Sequence, residues 1–102
     1  MILDFDKQDE LKKELVECLR QDPGIKRIVI FGSFLNSTSP DDMDVAIFQD
    51  SKQAYLPLAM KYRRLTRTVA KKVPLDIIPI RPGAENDFFL QEIEEGETIY
   101  ER

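Results

Sequence analysis

The fold is decided by residues 25–50, whose sequence is IKRIVIFGSFLNSTSPDDMDVAIFQD. The first seven form a β-branched and aromatic run that stops at Gly32, a pattern typical of a strand ending at a tight turn. A second apolar run, residues 45–48, directly follows Asp42 and Asp44. Because side chains alternate across a strand, both carboxylates should project from one face, with Cα atoms roughly 6.6 to 7 Å apart. The sequence predicts two strands with a carboxylate pair at the start of the second.

The composition is that of one globular domain. The 102 residues are 42% hydrophobic and 33% charged, enough for a single modest core, so we expect residues 1–102 to form one domain. No apolar run has the length of a membrane span, and the acidic start does not resemble a signal peptide, which predicts a cytoplasmic protein. Cys18 is the only cysteine, so no disulfide can form within the chain and a buried structural thiol is expected.

The charges are unevenly distributed. The net charge of −4 argues against non-specific binding to nucleic acid. Residues 51–75 nevertheless contain seven basic and no acidic residues, whereas residues 84–102 contain seven acidic residues and one arginine. The basic segment in the middle of the chain should attract anions. Alternatively, the basic and the acidic segments are both helix faces exposed to solvent. There is no histidine, so a metal site or general base has to rely on carboxylates.

Hydrophobic periodicity predicts the order helix, strand, turn, strand, helix, strand, helix. The expected elements are a helix over 7–21 with Asp6 as N-cap, a strand over 25–31, a helical turn over 33–37, a strand over 45–48, a helix over 54–72, a strand over 75–80, a helix over 86–95, and a short strand or extended tail over 97–102. This order predicts an α/β fold in which a small mixed β-sheet carries helices mainly on one face. The strand over 75–80 returns after a long helix and should be parallel to an earlier strand. The opposite face should stay partly open.

Asp76 is an aspartate inside the apolar run 75–80, and it can join Asp42 and Asp44 if the two strands are neighbours. Three carboxylates without histidine suit Mg²⁺, which completes its octahedron with water and phosphate. Ser33 and the backbone of Gly32 would face the phosphates, since glycine permits close approach and the N–H groups at a helix start favour anions. Together these residues predict phosphoryl or nucleotidyl transfer.

Each of these residues also has a purely structural interpretation. Asp42 could be a turn former together with Asp41, and Asp76 could be a strand-edge carboxylate paired with a basic side chain of the preceding helix. Ser33 could be an N-cap hydroxyl, a role compatible with phosphate binding. The combination of a glycine-serine turn, a carboxylate pair and a later strand aspartate favours the metal site.

These residues resemble the signature of the DNA polymerase β-like nucleotidyltransferase superfamily. The resemblance consists of Gly32-Ser33, Asp42-Met43-Asp44 at a strand start, and Asp76 in a later strand. Together with the chain length and the ending IEEGETIYE over 93–101, it is greatest to the minimal nucleotidyltransferases, often called MNT antitoxins. It extends over nearly the whole chain.

The resemblance implies a function and roles for the site residues. Asp42 and Asp44 would hold the metal ions, and Asp76 would complete the site and help activate the attacking hydroxyl. Gly32 and Ser33 would hold the β- and γ-phosphates of ATP. Pyrophosphate would leave and AMP would pass to a partner, typically a tyrosine of a HEPN-domain ribonuclease toxin, which adenylylation silences. Mg²⁺, ATP and a HEPN-domain toxin are therefore the expected cofactor, donor and partner.

The sequence departs from the family pattern after Ser33. An arginine and a glycine are common there, but this chain has Phe34-Leu35 and Asn36-Ser37, a loop about two residues short, and Asp41 in place of a serine. A second hypothesis is therefore a module of the same fold that neutralises its partner by binding alone. Transfer to a small molecule is a third, although the chain is short for the additional acceptor-binding domain. Arg63, Arg64 or Arg67 could replace the missing positive charge.

Overall fold

The computed structural model describes residues 5–32, 42–81 and 93–102. In these ranges the elements are α1 (Phe5–Leu19), β1 (Ile25–Phe31), β2 (Met43–Gln49), α2 (Tyr55–Leu65), α3 (Arg67–Ala70), β3 (Leu75–Ile80) and β4 (Glu97–Glu101). The strands form one sheet in the order β3-β2-β1-β4. The predicted helical turn over 33–37 lies outside the described residues, as does most of the helix predicted over 86–95, of which Ile93 and Glu94 are described as helical.

The sheet is mixed, as predicted. β1 is antiparallel to β2 and to β4, whereas β2 and β3 are parallel. The register pairs Phe31 with Asp44 and Asp44 with Asp76. The strand pairing therefore brings together the end of β1, the start of β2 and the start of β3. Asp44 and Asp76 lie on these strands, and Gly32 and Asp42 directly flank them.

The helices differ from the prediction at their ends. α1 begins at Phe5, so Asp6 lies in its first turn and the prediction that Asp6 caps the helix was wrong. The helix predicted over 54–72 is divided into α2 and α3 at Thr66, whose hydroxyl donates to the Tyr62 carbonyl oxygen over 2.7 Å. A threonine bonded to the preceding turn in this way often bends a helix.

The main core lies between the helices and one face of the sheet. The described buried side chains of this core come from all three helices, from β1, β2 and β3, and from the turn after α3: Leu11, Leu15, Leu19, Ile25, Ile28, Ile30, Met43, Val45, Ile47, Leu58, Tyr62, Val69, Val73 and Ile77. One prediction needs correction here. Cys18, expected to be buried, is half-buried, with its sulfur 3.7 Å from the Thr68 hydroxyl. Helices mainly on one face of the sheet are confirmed.

A smaller cluster lies on the other face. Val29, Phe31, Ala46, Ile80 and Ile93 are buried there, with Phe48 and Ile78 partly buried. The face is therefore closed around Val29 and Ala46, and the prediction of an open face holds only towards Asp76, whose side chain is exposed. None of the helices described is long and apolar enough to span a membrane.

Candidate functional site

Three carboxylates converge at one end of the β2–β3 pair. Asp42, Asp44 and Asp76 each place a carboxylate oxygen within 4.8 Å of the other two. Asp42 and Asp44 are half-buried and Asp76 is exposed. Half-burial holds two of the groups in place, while exposure of the third leaves the cluster accessible to solutes.

The convergence follows from strand register and side-chain alternation. Asp44 and Asp76 are paired residues on parallel neighbours, and strands in a sheet lie about 4.8 Å apart. Asp42 precedes Asp44 by two residues and therefore lies on the same side of the strand. The prediction that Asp76 joins the pair if β3 lies beside β2 is confirmed as a matter of position.

Gly32 leaves room for one of these carboxylates. It follows β1 directly and has a φ of 78°, in the left-handed region that glycine adopts readily. A Cβ atom at this position would overlap Oδ2 of Asp44. Glycine is thus required for two reasons: the turn needs a positive φ, and the Asp44 side chain occupies the space where a Cβ atom would lie.

The electrostatics of the cluster favour a bound cation. Two ionised carboxylates about 4 Å apart repel each other by roughly 1 kcal/mol in bulk water and roughly 4 kcal/mol near a protein surface. A divalent ion among them removes this repulsion. Oxygen ligands alone, few in number and partly open to solvent, are the donor set that Mg²⁺ accepts. The residues present therefore fit Mg²⁺.

The purely structural interpretation of Asp76, in which it pairs with a basic side chain of the preceding helix, does not hold among the described residues. Neither Asp42 nor Asp76 forms an ion pair with a described basic side chain. Lys61 of α2 pairs with Asp22 over 2.7 Å, and Lys72, in the turn after α3, pairs with Glu14 over 3.0 Å. Asp76 is thus not a strand-edge carboxylate neutralised by the preceding helix.

The arginines of α2 and α3 lie away from the cluster. Arg63, Arg64 and Arg67 line a groove with Leu75 and Ile77, the β3 residues that alternate with Asp76. Their positive charge therefore lies on the opposite side of β3 from the carboxylates, which does not support a phosphate-binding role for them. The sequence showed the run of basic residues, but the groove depends on how the helices meet the sheet edge.

Ser33 and Asp41 lie outside the described residues. The assignment of Ser33 to phosphate binding and of Asp41 to a turn therefore remain predictions. Of the five predicted site residues, the structure brings Gly32, Asp42, Asp44 and Asp76 to one end of the sheet.

Solved structures share this fold. One is a crystal structure of the toxin–antitoxin MntA-HepT, 14% identical, which matches over 92% of this chain and 73% of that chain with a TM-score of 0.61. Another is the tri-AMPylated Shewanella oneidensis HEPN toxin in complex with MNT antitoxin, 18% identical over 93% of this chain and 73% of that chain, with a TM-score of 0.59. A third is a toxin-antitoxin structure with AMP-PNP, 18% identical over 89% and 73% of the two chains, with a TM-score of 0.61.

The sequence itself identifies the family. No curated protein matches it. The model of the family described as polymerase beta, nucleotidyltransferase, matches residues 13–102, which include all five predicted site residues. By this match over most of its length, the chain belongs to the polymerase beta nucleotidyltransferase family.

Proposed function

We propose that this protein is a Mg²⁺-dependent nucleotidyltransferase that moves AMP from ATP onto a HEPN-domain toxin, as the antitoxin of a toxin–antitoxin pair. The observation that carries the proposal is the convergence of Asp42, Asp44 and Asp76 within 4.8 Å on the fold of a nucleotidyltransferase family. Structural neighbours that include an AMPylated HEPN toxin with its MNT antitoxin, and a toxin-antitoxin with AMP-PNP, support the acceptor and the donor. Use of ATP is consistent with action in the cytoplasm.

Asp42, Asp44 and Asp76 would hold the metal. When bound there, Mg²⁺ compensates the negative charge of the phosphates and of the reacting oxygens. Asp42 and Asp44 are both half-buried at the start of β2. Gly32, and Ser33 outside the described residues, would bind the β- and γ-phosphates through the turn after β1.

The transfer is a displacement at the α-phosphorus of ATP. A side-chain hydroxyl of the toxin forms a new P–O bond to this phosphorus, and the bond from it to the α,β-bridging oxygen breaks. Pyrophosphate leaves with the electron pair of the broken bond. The hydroxyl proton passes to the carboxylate of Asp76, the most exposed of the three and so the one best placed to meet a protein acceptor.

Intact mass of the purified candidate toxin tests the proposal, after incubation with this protein, Mg²⁺ and ATP. We expect a gain of one or more AMP groups with the wild-type chain and none with Asp42→Asn/Asp44→Asn. Asp50→Asn is the matched control, since Asp50 lies beyond the opposite end of β2, is exposed and pairs with Lys26 over 3.3 Å. It should transfer AMP like the wild type.

Two results would contradict the proposal. One is an unmodified toxin after incubation with a wild-type chain that also fails to bind ATP in calorimetry. The other is equal transfer by the wild type and the double variant. Neutralisation of the toxin without any mass gain would indicate that the module acts by binding alone.

A further inference from the structure

A groove of about 520 Å³ lies beside β3 on the side away from the carboxylates. Its walls come from α2, α3 and β3. The described lining residues are Met60, Arg63, Arg64, Thr66, Arg67, Ala70, Leu75 and Ile77. Because β3 is an edge strand of the described sheet, the groove opens at the rim of the molecule.

The arginines of this groove have no charge partners in the described part of the chain. The guanidinium groups of Arg63, Arg64 and Arg67 form neither an ion pair nor a side-chain hydrogen bond there, whereas Lys61 and Lys72 from the same basic segment are paired with acids near and on α1. Three unpaired arginines in a chain of net charge −4 form a local positive surface.

Apolar side chains are exposed beside these arginines. Among the described residues, the exposed large apolar side chains are Tyr55, Leu56 and Met60, which are 49%, 64% and 59% exposed and all lie on α2. Leu56, Met60 and Arg63 follow at spacings of four and three residues, so they lie on one face of α2. Arg67, the first residue of α3, lines the groove together with Met60 and Arg63. Methionine, tyrosine and arginine are enriched at the centres of protein interfaces.

The positive charge of the arginines and the exposed apolar side chains together select one kind of occupant. A phosphate backbone would use the arginines but gain nothing from Leu56 and Met60, and the net negative charge opposes nucleic acid. An acidic protein surface with an apolar side chain uses both parts. We infer that this groove docks the HEPN partner through an acidic segment whose apolar side chain enters between Met60 and the arginines. That the partner is a HEPN protein rests on the proposed function. That its docking segment is acidic and carries an apolar side chain rests on the residues of the groove.

This docking would leave the carboxylates free to act. Leu75 and Ile77 face the groove and Asp76 alternates with them, so a partner held at the rim of β3 is adjacent to the exposed carboxylate without covering it. Binding and transfer should then be separable by mutation.

Calorimetry with the purified candidate HEPN protein, without ATP, tests the docking surface. In an Asp42→Asn/Asp44→Asn background, Arg63→Glu/Arg67→Glu should weaken the complex at least tenfold. The matched control is Lys52→Glu/Lys71→Glu, which changes the net charge equally at exposed positions of the same segment outside the groove, and it should bind within about twofold of its parent. Met60→Ser should weaken binding several-fold and leave its salt dependence unchanged, since it removes apolar contact only.

The outcomes separate the docking surface from the proposed function. Equal affinities for the groove variant and its parent, or equal losses in the groove and control variants, would overturn the docking surface, even where AMP transfer is observed. A groove-dependent complex in which the wild-type chain, with Mg²⁺ and ATP, adds no mass to the HEPN protein would overturn the transfer and leave the docking surface standing. Binding of a labelled single-stranded RNA that requires Arg63 and Arg67, with an unchanged affinity for the HEPN protein, would assign the groove to nucleic acid and overturn the inference.

Discussion

The two faces of the sheet differ in what they carry. The helix-covered face holds the larger core and, at its rim, a groove with three arginines. The other face, called the carboxylate face here, holds a smaller apolar cluster and, at its end, three aspartates. β3 contributes to both, because Leu75 and Ile77 face the helices while Asp76 faces the other way. A single alternating strand thus separates opposite charges by the thickness of the sheet. Stability and chemistry should therefore respond to different substitutions.

Replacement of Asp76 by asparagine should have the largest effect on the carboxylate face. We expect AMP transfer to fall by roughly 10²-fold or more, since the proton acceptor and one metal ligand are lost. The free energy of unfolding in metal-free buffer should be unchanged or slightly higher, because one of three repelling charges disappears. Single-turnover transfer and urea unfolding measure the two quantities. AMP transfer by Asp76→Asn at the wild-type rate would show that Asp76 takes no part in the reaction.

Core truncations should lower stability more on the helix-covered face than on the carboxylate face. Leu15→Ala on the helix-covered face should cost about 2–5 kcal/mol, because Leu15 is fully buried in the main core. Ile78→Ala on the other face should cost about 1–2 kcal/mol, because Ile78 is partly buried on an edge strand. Urea denaturation of both variants measures the difference. Equal losses would mean that the smaller cluster contributes as much stability as the larger one.

Alkaline pH should weaken the helix-covered face through Tyr62. Burial raises the pKa of Tyr62 to about 12, and the nearby Asp22 and Asp50 add to the increase. The unfolded chain loses this proton near pH 10 and the folded chain near pH 12, so the contribution is fully present below pH 10 and is lost as the pH rises through that window. The loss should be up to roughly 2–3 kcal/mol.

Tyr62→Phe is the control for this pH dependence. It keeps the ring in the core and removes the titrating hydroxyl, so its stability should decline less between pH 10 and 12 than that of the wild type. Unfolding curves at several pH values provide the comparison. If both proteins decline alike, Tyr62 is not the titrating group.

Gly32→Ala should reduce AMP transfer less than Asp76→Asn does, and it should also lower stability. An alanine at a φ of 78° costs about 1–2 kcal/mol, and its Cβ would displace the Asp44 side chain. We expect transfer to fall at least tenfold. Gly24→Ala is the matched control, because its φ is not positive and its Cβ would lie 3.3 Å from Asp22 Oδ1, so that this side chain would have to shift slightly without being displaced. Similar transfer by the two variants would argue against a positioning role for Gly32.

The sequence predicted much of the fold because local patterns dominate in short strands. β1 and β3 have the predicted bounds, and the uncertain tail is a strand, β4. The helix over 54–72 was predicted whole because its apolar spacing continues through Thr66, and only the structure shows the side-chain bond that accompanies the break. Asp6 was mistaken for a cap because acidic residues favour both the cap and the first turn.

The residue types of the site were determined by the sequence, and their assembly by the tertiary structure. Alternation alone places Asp42 and Asp44 on one face, and the lack of histidine leaves oxygen ligands. That Asp76 stands beside Asp44 depends on which strand β3 joins and in which register, a non-local choice made by core packing. The groove likewise exists only where the broken helix meets the edge of β3. Charge and periodicity are local properties of a chain, whereas proximity across a sheet is a product of its folding.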